Sequence, residues 1–134
     1  MAVLALTDAS ITINSVALSS KANSVTLNYE VDSVEATAFG TNHIFIGGLQ
    51  NNSVEIALMQ DFAAATVEAT IYPLVGTTTT LVIKPTSGAV GATNPSYTIT
   101  GAFLASHTPV AGGVGELAMT SLSFTGGTIT KAVA

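Results

Sequence analysis

Apolar and polar residues alternate with a period of two along most of the chain, and Thr, Val and Ile occupy many of these positions. Such alternation is typical of strands that bury one face of a sheet, and β-branched residues favour extended backbone. The pattern is clearest over residues 24–34 and is repeated over residues 53–59. We therefore expect two long strands that pair as a hairpin. Their predicted core-facing side chains are Val25, Leu27, Tyr29, Val31, Val54, Ile56 and Leu58.

Shorter alternating runs predict further strands. They cover residues 10–14, 16–18, 77–84, 96–106, 116–124 and 128–133, and turns rich in Gly and Pro separate most of them. An Ala-rich stretch over residues 62–72, with Asp61 as its N-cap and Pro73 after its last residue, predicts one helix. Seven or eight strands with one helix indicate a mainly β fold, either a β-sandwich or a partly open barrel, with one flanking α-helix.

The segment between the two long strands is too long for a tight turn. We expect residues 1–134 to form a single domain with an extended loop at about residues 35–52. The middle of this loop, residues 38–49, is rich in large apolar side chains. Loops of that length in compact domains are often functional or ordered by a partner, so this one is a candidate contact segment.

The composition favours assembly over an isolated monomer. Only 8% of the residues are charged, compared with about a quarter in an average soluble domain. A folded chain with so few surface charges is predicted to cover much of its exterior with partners.

The net charge is -5, with three lysines and no arginine, which argues against a DNA-binding protein because that function needs clustered cations. Every hydrophobic run is too short to span a membrane.

Candidate catalytic or metal-binding groups are few. Ser106 and His107 are adjacent, but neighbours on a strand point to opposite faces, so we do not expect them to act as nucleophile and base. His107 is instead predicted to mark the end of a strand before Pro109. His43 lies in a different segment, the chain has no cysteine, and no carboxylate spacing matches a calcium loop. We therefore predict no enzyme activity, no cofactor and no metal site.

The layout of these elements resembles the tail-tube, or major tail, proteins of long-tailed bacteriophages. The likeness covers roughly residues 11–124 and includes no catalytic motif. The residues that carry it are Ser24-Val25-Thr26-Leu27-Asn28-Tyr29, Thr37-Ala38-Phe39-Gly40, Gly48-Leu49-Gln50 through Gln60-Asp61-Phe62, Tyr72-Pro73-Leu74-Val75-Gly76, Lys84-Pro85-Thr86 and Asn94-Pro95-Ser96-Tyr97.

The resemblance implies a sandwich-like barrel flanked by a helix, assembled into hexameric rings that stack as a hollow tube. DNA would pass through this tube during infection without specific binding. The implied partners are further copies of the chain and other tail proteins, namely the tape measure, the terminator and the baseplate or tip. The implied location is the virion, with assembly in the host cytoplasm.

Two sets of residues follow from this resemblance. If the long hairpin turns its polar face to the channel, Asn28, Glu30, Asp32 and Glu55 would line a negatively charged bore that repels DNA instead of binding it. The second set lies in the extended loop and is expected to insert into a neighbouring subunit or ring. Its members are Phe39, Ile44, Phe45, Ile46 and Leu49. The alternative for this second set is that the side chains fold back onto their own core.

A capsid decoration protein is the alternative function, because it too would be small, rich in β-structure and oligomeric. Another β-sandwich binding module of a virion is a further alternative. Sugar-binding sandwiches usually rely on exposed aromatic side chains, and this chain has no tryptophan and three tyrosines. The composition therefore lowers the case for a carbohydrate-binding module.

Overall fold

The computed structural model describes residues 7–40, 42–64 and 66–133. This part of the chain contains ten strands and one α-helix. The strands are β1 (Ser10–Ile13), β2 (Val16–Ala17), β3 (Ala22–Asn28), β4 (Val31–Glu35), β5 (Phe45–Gln50), β6 (Ser53–Met59), β7 (Thr78–Lys84), β8 (Ser96–His107), β9 (Met119–Thr125) and β10 (Thr128–Ala132). The helix is α1 (Val67–Ile71), and short 3-10 helices cover Ser19–Lys21 and Tyr72–Leu74.

Eight of these strands form one antiparallel sheet in the order β2-β1-β7-β8-β9-β6-β3, with β10 also paired to β8. β8 pairs with β7 along one edge and is long enough to hold two partners along the other, since β10 pairs with residues 96–100 and β9 with residues 103–107. The end strands β2 and β3 are not hydrogen-bonded to each other, although side chains of β3 and β10 line one groove. The sheet therefore curls towards itself without closing, which confirms the predicted mainly β, partly open fold with one helix.

The core lies on the concave face of this sheet. Alternate residues of β6, namely Val54, Ile56 and Leu58, are buried as the sequence predicts. α1 covers part of the same core with Val67 and Ile71. The other large side chains that are fully buried are Phe124, Ile11, Ile13, Leu81, Ile99, Leu104 and Leu122. These side chains come from strands distant in sequence, so the core forms only when the whole sheet is assembled.

The predicted strand over residues 24–34 is two strands. β3 ends at Asn28 and β4 begins at Val31, where the chain leaves the large sheet and pairs with β5 instead. Val25 and Leu27 are half-buried against the core, but Tyr29 and Val31 are exposed, so assigning these last two to the core was wrong. The pairing of the two long segments is confirmed, since β3 pairs with β6 over residues 22–28 and 53–58.

The segment described above as an extended loop is a β-hairpin for much of its length. Residues 45–50, which the sequence places inside the loop, form β5 and pair with β4. A shift in register between Val31 and Ser33 brings the strands close together, and a side chain at Gly48 would lie 3.0 Å from the Val34 side chain. Glycine at position 48 therefore allows a close approach that any larger residue would disturb.

The helix is shorter than predicted. It begins at Val67, with Thr66 as its N-cap, and not at residue 62. Asp61 is not the N-cap, because it lies five residues before Thr66. Its carboxylate accepts a hydrogen bond from the backbone N–H of Ala63 and forms an ion pair with Lys21 at 3.0 Å. These contacts lower the pKa of Asp61 below its ordinary value, the Ala63 hydrogen bond being the larger cause. Asp61 thus stabilises the turn that precedes the helix.

Candidate assembly surfaces

The hairpin formed by β4, β5 and their connection, residues 31–50, is called the arm here. Every residue of the arm that the structure describes is exposed. β4 has five residues and β5 has six, so at about 3.3 Å per residue the paired part of the arm is about 17–20 Å long. Because its described residues are exposed throughout, the arm does not pack on the body of its own domain.

The apolar side chains predicted for the extended loop all lie on this arm. Ile44, Phe45 and Ile46 are more than half exposed, Leu49 is 80% exposed and Phe39 is fully exposed. None of them is folded onto the core, so the alternative of local packing does not hold in this structure. Their insertion into a neighbouring subunit or ring stays a prediction.

Sequence reasoning missed three further members of this surface. Tyr29, Val31 and Val34 are also exposed and extend the apolar surface along the base and first strand of the arm. Val34 pairs with Ile46, so the two side chains lie on one face of the hairpin. Contiguous exposed apolar surface on a soluble domain usually marks a contact site, and the arm fits that description.

The outer end of the arm is tied together by hydrogen bonds. The Glu35 carboxylate accepts a hydrogen bond from Thr37 Oγ1 at 2.9 Å and lies 2.8 Å from Nδ1 of His43. These two contacts lower the pKa of Glu35, with His43 as the larger cause. The backbone N–H of Ile44 donates to Thr37 Oγ1 at 2.9 Å. The arm thus has internal order of its own although it does not pack on the core.

A buried asparagine holds the base of the arm. Asn52 is 1% exposed, and its Oδ1 accepts a hydrogen bond from the backbone N–H of Glu30 at 3.2 Å. Its Nδ2 donates to Gln50 Oε1 at 2.9 Å and to the carbonyl of Gly127 at 3.0 Å. Asn52 therefore connects both strands of the arm to the turn between β9 and β10.

The convex face of strands β3, β6, β9 and β8 presents small polar side chains. One row of cross-strand partners runs from Thr26 through Glu55 and Ser123 to Ser106. The neighbouring row contains Ser24, Ala57 and Ser121. Together they line a shallow depression of about 330 Å³ in which Glu55 is the one charged side chain. Serine and threonine predominate in these two rows, and neither row contains a lysine. The next row on this face, Asn28, Ser53 and Thr125, ends at Phe103, which is 41% exposed.

The structure brings together part of the predicted bore-lining set. Asn28 and Glu55 lie on this convex face, because their strands pair and each is aligned with outward-facing partners. Glu30 follows directly, with its carboxylate 3.4 Å from Asn28 Nδ2. Asp32 lies in the arm, which is a separate sheet, so it does not share the face with the other three. A role of these residues in lining a channel stays a prediction.

The free edges of this four-stranded region lie on its two sides. β3 is an end strand, and among the described residues no strand pairs with its outer edge. On the other side, β7 pairs with β8 only as far as Phe103, so residues 105–107 of β8 are left beyond that ladder. Exposed strand edges carry unpaired N–H and C=O groups that favour pairing with another chain.

His107 ends β8 as predicted, but its side chain has a role that the sequence did not reveal. Its Nε2 lies 3.0 Å from Glu68 Oε2 and its Nδ1 lies 3.0 Å from the Thr120 hydroxyl. Gln60 Nε2 also donates to Glu68 at 3.1 Å and to the Pro109 carbonyl at 2.7 Å. A carboxylate accepts hydrogen bonds, so Nε2 carries the proton and Nδ1 of a neutral imidazole accepts from Thr120.

The Thr120 hydroxyl, the His107 imidazole and the Glu68 carboxylate are connected in the same order as the nucleophile, base and acid of a hydrolytic triad. Thr120 is 1% exposed, however, so its hydroxyl is not accessible to a substrate. The network instead links α1, through Glu68, to the ends of β8 and β9. Its members are far apart in sequence, which is why no spacing rule identifies it.

Within the residues that the structure describes, no group of three or more His, Asp or Glu side chains is placed to hold a metal ion. In the same part of the chain, no helix is long and apolar enough to cross a membrane. The absence of enzyme activity stays a prediction.

The fold is similar to that of chains in solved tail-like particles. One is a chain of an extracellular contractile injection system, from its sheath and tube terminator in the extended state, with a TM-score of 0.74, 12% identity and coverage of 98% of this chain and 97% of that one. A chain of the extended sheath-tube complex of such a system gives a TM-score of 0.72 at 10% identity, covering 98% of this chain and 93% of that one.

A third similar chain belongs to the tail of an empty gene transfer agent particle, refined as a helix with C6 symmetry. Its TM-score is 0.55 at 16% identity, with 84% of this chain and 83% of that chain covered. No protein-family model and no curated protein matches the sequence. At these identities the likeness is one of fold, shared with chains of contractile injection systems and of a gene transfer agent tail.

Proposed function

We propose that the chain is a structural virion protein that self-assembles into stacked hexameric rings, which form the hollow tube through which DNA is delivered. The observation that carries this proposal is the four-stranded region β3-β6-β9-β8, which combines the free edge of β3, residues 105–107 of β8 beyond its ladder with β7, and a convex face rich in serine and threonine. Pairing the free edge of β3 in one copy with the free end of β8 in the next would extend the sheet around a ring. The fold shared with chains of tail-like particles supports this arrangement.

Simple geometry shows that such a ring can surround DNA. Six copies, the number suggested by the C6 symmetry of the gene transfer agent tail, would contribute twenty-four strands. Strands about 4.8 Å apart give a circumference of at least about 115 Å and a backbone diameter of about 37 Å or more. Tilting the strands widens the barrel further. The channel is therefore wider than duplex DNA.

The chemistry of the convex face suits passage of DNA. Serine and threonine dominate this face, Glu55 is its central charge, and Asn28 and Glu30 lie at one end. Sixfold symmetry would turn each carboxylate into a ring of negative charge. DNA carries about one negative charge per 1.7 Å of its axis, so it would be repelled from such a wall and not held by it. We therefore retain Asn28, Glu30 and Glu55 as proposed bore-lining residues. Asp32 is left out because it lies in the arm, which is a separate sheet.

The arm supplies contacts beyond the ring edge. Its exposed apolar side chains suit insertion into a neighbouring subunit or ring. Other tail proteins, such as a tape measure, a terminator and a baseplate or tip, are the remaining proposed partners. The virion is the proposed location, after assembly in the host cytoplasm.

Electron microscopy of the concentrated, purified protein tests the proposal. Long hollow tubes are expected, whereas isolated trimers or monomers would favour the capsid decoration protein or another binding module. Deleting residues 41–46 removes the outer part of the arm and should leave a folded chain that no longer polymerises. Tubes of normal length from this deletion would show that the arm is not needed for assembly.

A charge-reversal experiment tests the bore separately. Glu30→Lys combined with Glu55→Lys should slow DNA ejection from assembled particles, because rings of lysine would attract phosphates. Glu116→Lys is the matched control, since Glu116 is also exposed but lies in the loop before β9. Equal ejection by both variants would contradict the assignment of this face to the channel.

A further inference from the structure

Two adjoining cavities lie along the open side of the barrel, between β1 and β3, and both are lined in part by Ala9 and Val25. The first, of about 610 Å³, has many polar side chains in its lining, namely Asp8, Ser19, Ser20, Asn23 and Ser24. The second, of about 420 Å³, is the groove between β3 and β10. Its lining is apolar except for Lys84, whose ammonium group donates a hydrogen bond to the carbonyl of Gly88 at 3.0 Å.

The groove is an uncovered part of the core. Ile83 lines it and is only 6% exposed. Tyr97 is paired with Ile83, and Ile129 with the buried Ile99, so both point to the concave side of the sheet. From the other side, β3 contributes its inward-facing side chains, which end at Tyr29. The described residues thus leave the groove open to solvent although its lining belongs to the core.

An apolar segment of the chain is attached beside this groove. Residues 1–6, Met-Ala-Val-Leu-Ala-Leu, lie outside the described residues and contain no polar side chain. They join the body at Thr7, which lines the larger cavity, and Ala9 then lines the groove itself. A run of six apolar residues is stabilised by burial, and the nearest apolar cavity is the groove.

The length of the segment fits the groove. Six extended residues span up to about 20 Å. The wall that β3 provides, from Val25 to Tyr29, is about 13 Å long. Placing the segment in the larger cavity would instead bring apolar side chains against polar groups that water solvates in the open state. Reach and chemistry therefore select the groove.

We infer that residues 1–6 occupy the groove of their own chain and complete its core, so that they close the open side of the barrel. The contact uses the inward-facing side chains of β3, and it leaves the backbone groups of the outer edge of β3 to a neighbouring copy. Because it lies within one chain, this contact does not depend on the proposed assembly function.

Disulfide trapping tests the contact, because the chain has no cysteine of its own. Each of residues 2–6 is replaced in turn by cysteine in a chain that also carries Tyr97→Cys. The variants are oxidised mildly at a concentration below that needed for assembly. At least one of them should lose both free thiols and keep the mass of a monomer, since a disulfide needs Cβ atoms about 3.5–4.5 Å apart.

The same series with Tyr72→Cys in place of Tyr97→Cys is the matched control. Tyr72 is 67% exposed and lies beside His107. His107 is ten residues further along β8 than Tyr97, a distance of about 33 Å. No member of the control series should form a disulfide within one chain.

A second measurement concerns stability. Leu4→Ser combined with Leu6→Ser should lower the Tm of the dilute protein by about 5 °C, because burial of the two side chains is lost and the entropy of the released segment offsets part of that loss. Binding of a dye that detects exposed apolar surface should increase. Val114→Ser combined with Leu117→Ser is the control, since both residues are exposed in the loop before β9, and its Tm should equal that of the wild type.

Three results would overturn the inference. The first is the absence of a disulfide within one chain at every position of the Tyr97→Cys series, whatever the change in Tm. The second is equal cross-linking to Tyr72→Cys, which would show that the segment has no fixed site. The third is cross-linking only between chains, which would assign the groove to a second copy. Each of these results leaves the proposed function intact, because that function is tested by the presence or absence of tubes.

Discussion

Replacing Asn52 by alanine tests how the arm is anchored. The substitution removes three hydrogen bonds, to the backbone N–H of Glu30, the side chain of Gln50 and the carbonyl of Gly127. A typical internal hydrogen bond contributes about 0.5–1.5 kcal/mol net, and water can replace those to the exposed Glu30 and Gln50. We therefore expect a loss of about 2 kcal/mol in the free energy of unfolding, mostly from the buried contact. For a domain of this size that is a fall in Tm of about 6–10 °C.

The adjacent asparagine provides the control. Asn51 is exposed and its side chain makes none of these contacts, so Asn51→Ala should change stability by less than about 0.5 kcal/mol. Urea or thermal unfolding is measured below the concentration at which the protein assembles, and the assembly threshold is measured in parallel. Asn52→Ala should raise that threshold because the arm loses its fixed direction. Two variants that unfold and assemble alike would refute the anchoring role of Asn52.

Three further predictions concern the body of the domain and the outer end of the arm. Glu68→Ala should lower the free energy of unfolding in urea by about 2–3 kcal/mol, because it leaves the buried imidazole N–H of His107 unpaired. The control, Glu55→Ala, should lower it by less than about 0.5 kcal/mol. Equal losses would contradict the network of Glu68, His107 and Thr120. Gly127→Ala should lower Tm more than Gly126→Ala. Both glycines have positive φ, but only at position 127 would the new Cβ lie 2.8 Å from a backbone carbonyl oxygen. An equal fall in Tm for the two variants would contradict this. The lowered pKa of Glu35 means that its contacts stabilise the arm above about pH 4.5 and are lost as the pH falls through the lowered pKa. The protection factors of amides in the arm, which correct for the intrinsic pH dependence of exchange, should therefore fall there, and Glu35→Gln should abolish this step.

The strands of the large sheet could be predicted because one of their faces is buried. β6 matches its predicted bounds, and β1, β7, β8 and β10 match theirs within one residue. The turn between β1 and β2 lies at Asn14 and Ser15, which have positive φ. Burial of one face imposes alternation on the sequence, and the alternation can therefore be read back from it.

Most of the arm, from about residue 35 onwards, was predicted as a loop for the same physical reason. Both faces of β4 and β5 are exposed, so nothing imposes alternation on them, and the run from Phe45 to Leu49 shows none. Its apolar composition did point to a contact segment, but its hairpin form depends on pairing between strands that the pattern does not report. Likewise, the pattern did not reveal that Asp61, taken as the helix N-cap, pairs with Lys21, forty residues earlier.

By itself, then, the sequence determined that the fold is rich in strands, which side chains of most strands face the core, and that few charges are present to keep a monomer apart. These features depend on the burial and solvation of each residue separately. The tertiary structure decided which distant residues meet. Glu68 with His107, Asn52 with Gly127, and the groove between β3 and β10 are all contacts across the sheet. Such contacts depend on how the sheet curls, and the curl is set by all the strands packing together, which no local pattern records.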